Sequence, residues 1–419
     1  MLYVPNANLI VFMGKNMDAS VLKKSALSLW GASLCLVSAQ ALSVGLVEAI
    51  TGGETSGDFN LRYESVEQDN ALKDASAMTL RSRLGYSTAS LSNFSATLEF
   101  EDVRVVAGRD SYSVPPTAFK TGRYSVIADP ETTELDQGFV QYKNDTVTAR
   151  LGRQVIAYDG HRFVGHVGWR QDRQTFDAMR VDVSPAKDFI VSYSYIDQRN
   201  GIFAEAGDQD SKDHLINASV NTPIGKLVVY GYLLELDNNT DNALDTYGVS
   251  LSGSASVADA KFLYSVEYAK QEFELGITER DAKYMLVEAG VVVGGITGKL
   301  GYESLGSDSG AYGFSTPLAT LHKFNGWADI FLNTPAQGLV DTYASIGGSL
   351  AGGSWNVTYH EFAADEGSAA LDDFGSELDV SYARKFGKHY NAGIKYAGYK
   401  ADDFAVDTDK IWVWVGLSF

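Results

Sequence analysis

Arginines are the residues of this chain whose type and spacing could do chemistry. Thirteen of the fifteen arginines lie at or before Arg199, leaving only Arg280 and Arg384 after it. A row of guanidinium groups offers planar paired donors to carboxylates or phosphates. The charged positions opposite apolar ones in strand-like segments are the arginines Arg62, Arg81, Arg83, Arg104, Arg150 and Arg180 and the glutamates Glu64, Glu99, Glu101, Glu267, Glu288, Glu303 and Glu361. They predict either a cationic wall that selects anions or Arg–Glu ladders that neutralise one another.

The sequence offers few residues that could serve in catalysis or bind a metal. His161 and His166 share a segment with Asp159 and Trp169, which could hold a metal or supply a hydrolase histidine, or be an ordinary solvated loop. The Asp- and Asn-rich stretch 237–242 could bind Ca²⁺ or be a flexible loop. The nucleophile elbow, zinc-protease and phosphate-loop motifs are missing from the sequence. We therefore predict no catalytic residue, no metal and no cofactor.

The composition excludes several classes of protein. A formal net charge of -19 argues against nucleic acid as a partner. The single Cys excludes a disulfide scaffold and a multi-Cys zinc site. The mean hydropathy of -0.11 excludes a protein that spans the membrane with many helices.

The N-terminal region has the pattern of an export signal. Lys23 and Lys24 precede an apolar core over 25–37, and Ala39-Gln40-Ala41 has the small residues of a cleavage site. The alternative is a transmembrane helix, because the uncharged run 25–47 is long enough to span a bilayer. We predict a signal peptide over 1–41, in which 1–16 could be an over-called start, then a short N-terminal segment over 42–55 and a transmembrane barrel over 56–419.

The rest of the chain alternates apolar and polar residues with period two. Phe59, Leu61 and Tyr63 fall on one face of a strand, and the residues between them are polar. No convincing helical stripe follows the signal region. The alternation predicts eighteen strands, near 56–66, 77–88, 93–105, 133–143, 146–154, 174–183, 188–197, 213–221, 226–236, 244–254, 259–271, 282–293, 296–305, 339–348, 353–363, 374–386, 389–400 and 408–419.

The connections between these strands alternate in length. Tight turns such as Gly294-Gly295 separate the long polar loops predicted over 106–132, 155–173, 198–212, 272–281, 306–338, 364–373 and 401–407. Short turns at one end and long loops at the other are typical of an outer-membrane barrel. The predicted fold class is therefore all-β, a transmembrane antiparallel β-barrel of about 18 strands with short periplasmic turns and long extracellular loops.

The last strand carries a specific local signal. Val415, Leu417 and the C-terminal Phe419 face the same way as Ile411 and Val413. The pattern resembles the terminal signature by which bacterial outer-membrane proteins are recognised for assembly. The alternative is the ordinary last strand of a soluble sheet.

Three stretches of the chain have the character of sequence motifs. They are Asp129-Pro130-Glu131-Thr132-Thr133-Glu134-Leu135-Asp136-Gln137 with the following Gly138–Tyr142, then Leu151-Gly152-Arg153-Gln154 continuing through Arg162–Gly165 and Trp169–Gln171 to Thr175–Ala178, and Leu321–Asp329 with Thr334-Pro335 and Gly338–Asp341. In this order they resemble the alginate export family of outer-membrane barrels. The resemblance implies an eighteen-stranded monomer with a charged channel partly occluded by loops. The type member of the family passes an anionic polysaccharide outward through an arginine-rich lumen. The resemblance implies that the best pore-lining candidates are the residues in the matching stretches, Arg153, Arg162, Arg170, Arg173, Asp177 and Arg180. The wall residues Arg81, Arg83 and Arg150 are candidates beside them.

These observations together predict a passive, partly selective porin in the bacterial outer membrane. The favoured solute is an anionic saccharide or organic anion, or else another small polar solute or a polysaccharide. The expected partners are outer-membrane lipid, lipopolysaccharide and the barrel assembly machinery. The alternatives are an outer-membrane hydrolase that uses a loop histidine and a structural or adhesive barrel.

Overall fold

Eighteen antiparallel strands form one sheet that closes on itself into a barrel. The computed structural model describes residues 39–419, so the predicted signal peptide lies outside the described residues except at 39–41. The strands are β1 (Glu54–Gln68), β2 (Ala75–Ser87), β3 (Phe94–Ser111), β4 (Thr132–Lys143), β5 (Val147–Gln154), β6 (Thr175–Ala186), β7 (Phe189–Asn200), β8 (Gln209–Thr222), β9 (Gly225–Leu234), β10 (Asn242–Val257), β11 (Ala260–Leu275), β12 (Thr278–Val293), β13 (Ile296–Leu305), β14 (Leu339–Leu350), β15 (Gly353–Ser368), β16 (Leu371–Phe386), β17 (Tyr390–Lys400) and β18 (Thr408–Ser418). Each strand pairs with its neighbours along the chain, and β1 pairs with β18 from Asp58↔Ser418 to Gln68↔Thr408. Closure leaves no unpaired sheet edge, which a lipid environment requires.

The predicted period-two pattern is confirmed in the wall of the barrel. Leu61 and Leu84 point outward and are exposed, whereas Arg62, Glu64 and Arg83 point inward and are buried. Because successive side chains of a strand alternate between the two faces, one sequence pattern supplies both the lipid-facing surface and the polar lumen.

Two predicted loops are instead hairpins. β11 and β12 pair to Leu275↔Thr278, and β15 and β16 pair to Ser368↔Leu371, so the predicted loops 272–281 and 364–373 are each reduced to a two-residue turn. Both stretches are rich in acidic residues and contain glycine, which predicted loops, yet the backbone pairing continues through them.

A helix precedes the barrel. Helix α1 (Ala39–Thr51) covers the predicted cleavage site and most of the short N-terminal segment 42–55, for which no secondary structure was predicted. The Ala89 N–H donates to the carbonyl of Ala49, which holds the helix against the β2–β3 turn. Within residues 39–419, no helix is both long and apolar enough to cross a membrane.

The C-terminal strand faces as the sequence predicted. Val415 and Phe419 are exposed, and Phe419 exchanges two backbone hydrogen bonds of 3.0 Å with Gly57 of β1. The Phe419 ring lies 6.5 Å from that of Phe59. The terminal apolar row is therefore part of the lipid-facing surface.

Candidate functional site

Two extracellular loops fold into the lumen and lock together there. They are the β5–β6 loop (residues 155–174) and the β13–β14 loop (residues 306–338). A parallel bridge joins Val164 of the first to Leu318 of the second, and the Gly165 N–H donates to the Leu318 carbonyl at 2.8 Å. The two loops therefore form one inner plug, as the family resemblance implied.

Aromatic side chains attach this plug to the barrel wall. The Phe163 ring of the β5–β6 loop lies 5.1 Å from Tyr230 and 5.2 Å from Tyr284, both on the wall. Phe331 of the β13–β14 loop lies 4.6 Å from the wall residue Phe362. The upper lumen is thus a packed core, and burial of these rings is the main force that keeps the loops inside.

Arginines of the β5–β6 loop anchor the plug electrostatically. Arg162 Nε donates to Glu303 on β13 at 2.6 Å. Arg170 donates to Glu64 on β1 at 3.0 Å and to Asp329 of the other loop at 2.9 Å. Because both guanidinium groups are buried, burial tends to lower their pKa, but the facing carboxylates outweigh it and raise it. These two predicted pore-lining arginines are structural anchors in this conformation.

Most of the remaining arginines are also neutralised. Arg173 binds Glu99 at 2.5 Å and Asp136, and Arg83 of the wall binds Glu101. In the same way, Arg62 binds Asp129 and Arg81 binds Asp58. Over this part of the wall, the structure agrees with Arg–carboxylate ladders rather than with a free cationic surface.

Arg150 and Arg180 are different. They are direct cross-strand partners on β5 and β6, and both face the lumen. Arg180 pairs with Asp182 at 3.0 Å, but Arg150 donates only to the neutral Gln141 at 2.8 Å and has no carboxylate within ion-pair distance among residues 39–419. Like charges directly opposite each other repel, so this step of the wall carries an excess positive charge.

Three of the candidate residues lie elsewhere. Arg153 binds Asp177 at 2.7 Å, but both are in phase with the outward-facing Leu151 and Met179, at the extracellular ends of β5 and β6. Arg104 also points outward, since it lies one residue beyond the inward-facing, buried Val103. In this geometry Arg104, Arg153 and Asp177 therefore point away from the lumen. The family motifs that selected Arg153 and Asp177 do not fix the face of a strand, and Arg104 lies in phase with the exposed Phe100.

Buried lysines are the charged residues that sequence reasoning missed. Lys395 on β17 is 7% exposed, and its ammonium lies 3.6 Å from the ring centroid of Trp327 and 4.4 Å from that of Trp169. Lys410 on β18 binds Asp329 at 2.9 Å. The alternation with the outward-facing Ile394 and Ile411 could have shown that both lysines face inward. It could not have shown the cation–π contacts of Lys395 with Trp327 and Trp169.

His322 connects these charges. Its Nδ1 lies 2.6 Å from Asp329 Oδ1, and its Nε2 lies 2.8 Å from Lys395 Nζ. Burial lowers the pKa of His322 to about 3. The neutral ring therefore donates to Asp329 from Nδ1 and accepts from Lys395 at Nε2. For Asp329, burial would raise the pKa, but His322, Lys410 and Arg170 together lower it well below its ordinary value.

Open volume remains below the plug. A cavity of about 710 Å³ lies against β9–β16, and a second of about 450 Å³ lies against β5–β9. Both are lined by Tyr158, Asp159 and Lys226, so they adjoin. The first is lined by charges of both signs, including Lys299 paired with Glu288 at 2.9 Å. The second is bordered by Arg180.

The candidate histidines and the Asp/Asn-rich stretch show no metal geometry. The rings of His161 and His166 lie 5.0 Å apart, but within residues 39–419 no third side chain of a ligand type completes a metal group with them. Burial lowers the pKa of His166 to about 4. In the stretch 237–242, Asp237 binds Lys212 at 3.0 Å, and the Asn242 side chain bonds to neighbouring residues of its own turn.

Comparisons with known proteins agree with this architecture. The sequence model of the alginate export family matches residues 42–303. Among solved structures, Pseudomonas aeruginosa OccK9 (OpdG) superposes with a TM-score of 0.68 at 14% identity, covering 88% of this chain and 100% of that one. Acinetobacter baumannii OccAB4 gives 0.68 at 14% identity over 88% and 98%. P. aeruginosa OpdK, in its structure with vanillate, gives 0.67 at 13% identity over 87% and 98%. No curated protein matches the chain in sequence.

The closed barrel with two loops inside its lumen shares its fold with the outer-membrane proteins with which it superposes. The chain belongs to the alginate export family. It is an integral outer-membrane channel protein rather than an enzyme.

Proposed function

We propose that this channel passes small polar solutes by passive diffusion and prefers those with an anionic group such as a carboxylate or a phosphate. The observation that carries the proposal is the pair Arg150 and Arg180, which face the lumen with an excess positive charge. Guanidinium groups bind such oxyanions in a planar, paired geometry. The structure of OpdK with vanillate gives an example of a small solute for a barrel of the same fold.

The size limit follows from the plug. The β5–β6 and β13–β14 loops fill the upper lumen and are bonded to each other and to the wall. An extended polysaccharide needs a continuous wide path, whereas a small solute needs only gaps beside the loops and the cavities below them. We therefore favour an organic anion or a short anionic saccharide over a polymer.

Planar-bilayer recordings test the preference for anions. The double variant R150Q/R180Q should move the reversal potential in a KCl gradient toward the potassium equilibrium potential. The shift should be larger at 0.1 M than at 1 M salt, because the Debye length falls from about 10 Å to about 3 Å. Arg153→Gln is the matched control, since Arg153 points outward. An unchanged reversal potential in R150Q/R180Q, or an equal shift in the control, would contradict the proposal.

Liposome uptake separates charge from size. Glucuronate should enter wild-type proteoliposomes faster than glucose, which has nearly the same size, and R150Q/R180Q should abolish the difference. If alginate oligomers enter as fast as the monosaccharide, the proposed size limit is incorrect. If there is no conductance and no uptake of any solute, the proposal of passive transport fails as a whole.

The chain organisation is also a proposal. We infer a signal peptide over 1–41, a short segment over 42–55 and the barrel over 56–419, supported by the family match that begins at residue 42. Assembly by the barrel machinery through Val415, Leu417 and Phe419, contact with lipopolysaccharide and function as a monomer are proposed with it. The mass of the mature protein purified from outer membranes would test the cleavage site.

A further inference from the structure

Three acidic side chains meet where the β5–β6 loop touches the wall. Glu101 on β3 and Glu134 on β4 are direct cross-strand partners, and Asp172 reaches them from the loop. One carboxylate oxygen of each residue lies within 4.8 Å of those of the other two. This cluster, Glu101–Glu134–Asp172, is separate from the Arg150–Arg180 pair on which the proposed function rests.

The cluster lacks enough nearby cations to balance its charge. Arg83 binds one oxygen of Glu101, and within residues 39–419 neither Glu134 nor Asp172 has a lysine or arginine within ion-pair distance. Three carboxylates this close together repel one another unless a cation or a shared proton lies between them.

A separate observation points to a missing ligand. Glu101 is 1% exposed, and its Oε1 has no hydrogen-bond partner among the described residues, because Arg83 occupies Oε2. A buried acceptor without a donor is unfavourable and rare in a folded protein. Asp172 accepts the Ala204 N–H at 3.1 Å through Oδ2, and its carboxyl group also shares a hydrogen bond with Glu134.

The donor set selects the kind of ion. All three donors are carboxylate oxygens, which favour hard cations over zinc or copper. Calcium takes about six to eight oxygen ligands in flexible geometry, whereas magnesium demands a near-ideal octahedron and usually keeps several waters. A buried site whose carboxylates come from two wall strands and a loop therefore fits calcium better.

We propose that Glu101, Glu134 and Asp172 bind one calcium ion, which ties the β5–β6 loop to the β3–β4 wall. The ion supplies the partner that Glu101 Oε1 lacks and offsets the repulsion between the three carboxylates. Calcium thereby holds the plug in the lumen from the extracellular side, where sites with dissociation constants of about 10⁻⁴–10⁻³ M are functional.

Calorimetric titration of CaCl₂ into the refolded full-length protein, in detergent free of lipopolysaccharide and after EDTA treatment, tests this proposal. Wild type should bind close to one ion, and Glu134→Gln or Asp172→Asn should weaken binding at least tenfold. Both variants keep the side-chain shape and relieve repulsion, so they should fold, which heat-modifiable gel mobility would verify. Asp102→Asn is the matched control, because Asp102 is the next residue on β3 but lies on the outer face beside Arg104.

Each contrary result is decisive. No calcium binding by wild type up to 10 mM would mean that a proton alone occupies the cluster. Equal affinity in Glu134→Gln, or an equal loss in Asp102→Asn, would place the ion elsewhere. Magnesium binding as tight as that of calcium would overturn the choice of ion.

Discussion

Replacing Arg162 should release the plug from the lumen. Its guanidinium group is 6% exposed and bonds to three side chains: Glu303 of β13 at 2.6 Å, and Thr316 and Asn325 of the β13–β14 loop at 3.3 and 3.2 Å. It also lies 4.8 Å from the Phe324 ring. Arg162→Met keeps much of the side-chain volume but leaves Glu303 buried without its cation.

The size of the effect follows from that unpaired carboxylate. Removing one partner of a buried ion pair destabilises by about 3–5 kcal/mol. Glu303 keeps two donors, Tyr284 Oη at 2.6 Å and Asn325 Nδ2 at 2.7 Å, so the lower end of that range applies. About 3 kcal/mol corresponds to roughly a hundredfold larger population of the open loop, at 1.4 kcal/mol per tenfold.

Trypsin cleavage after Lys323 measures that population. Lys323 lies on the β13–β14 loop inside the barrel, where the protease cannot reach it unless the loop leaves the lumen. When reclosing is faster than cleavage, the cleavage rate follows the open population. The rate in Arg162→Met should therefore rise by about a hundredfold.

Two controls make the result interpretable. R162M/E303L removes both charges and should recover most of the protection, because no buried charge remains unpaired. Arg81→Met removes a wall arginine bound to Asp58, which lies on β1 rather than on either inner loop, and should not change cleavage. A rate within threefold of wild type in Arg162→Met would refute the view that this ion pair holds the plug.

Two further predictions concern pH and assembly. Because the pKa of His322 is lowered to about 3 in the folded plug and is about 6.5 when the loop is open, the open state binds more protons between these values. The free energy of opening is therefore highest above pH 6.5 and falls as the pH falls, by up to about 1.4 kcal/mol per unit. Hydrogen exchange of the loop, corrected for its intrinsic pH dependence, should show this slope in wild type and not in His322→Gln. Phe419→Ala should lower the yield of assembled barrel more than its thermal stability, since the ring is 59% exposed; an equal loss of stability, measured by heat-modifiable gel mobility, would indicate a packing role instead.

The strands of the barrel wall could be predicted from the sequence because the pattern of each strand depends only on the environments of its own two faces. Each strand borders lipid on one face and the lumen on the other, so its residues alternate with period two. All eighteen strands were found, most of them to within a few residues. The errors at 272–281 and 364–373 arose because acidic residues and glycine there are typical of loops, whereas the backbone pairing continues through them.

The partners of the charged residues could not be predicted in the same way. Arg170 meets Glu64 and Asp329, which lie 106 and 159 residues away along the chain. The alternation identified Arg83 and Glu101 as inward-facing but could not show that they neutralise each other. It also could not distinguish Arg150, which lacks a carboxylate partner, from arginines that have one.

The sequence by itself determined the barrel, the lipid-facing surface and the outward-facing C-terminal row, because lipid imposes its pattern residue by residue. Only the tertiary structure decided that two loops enter the lumen and lock together, which arginines remain free to meet a solute and which acidic groups converge at Asp172. These features depend on contacts between segments far apart in the chain, and their free energy exists only once the barrel has closed around them.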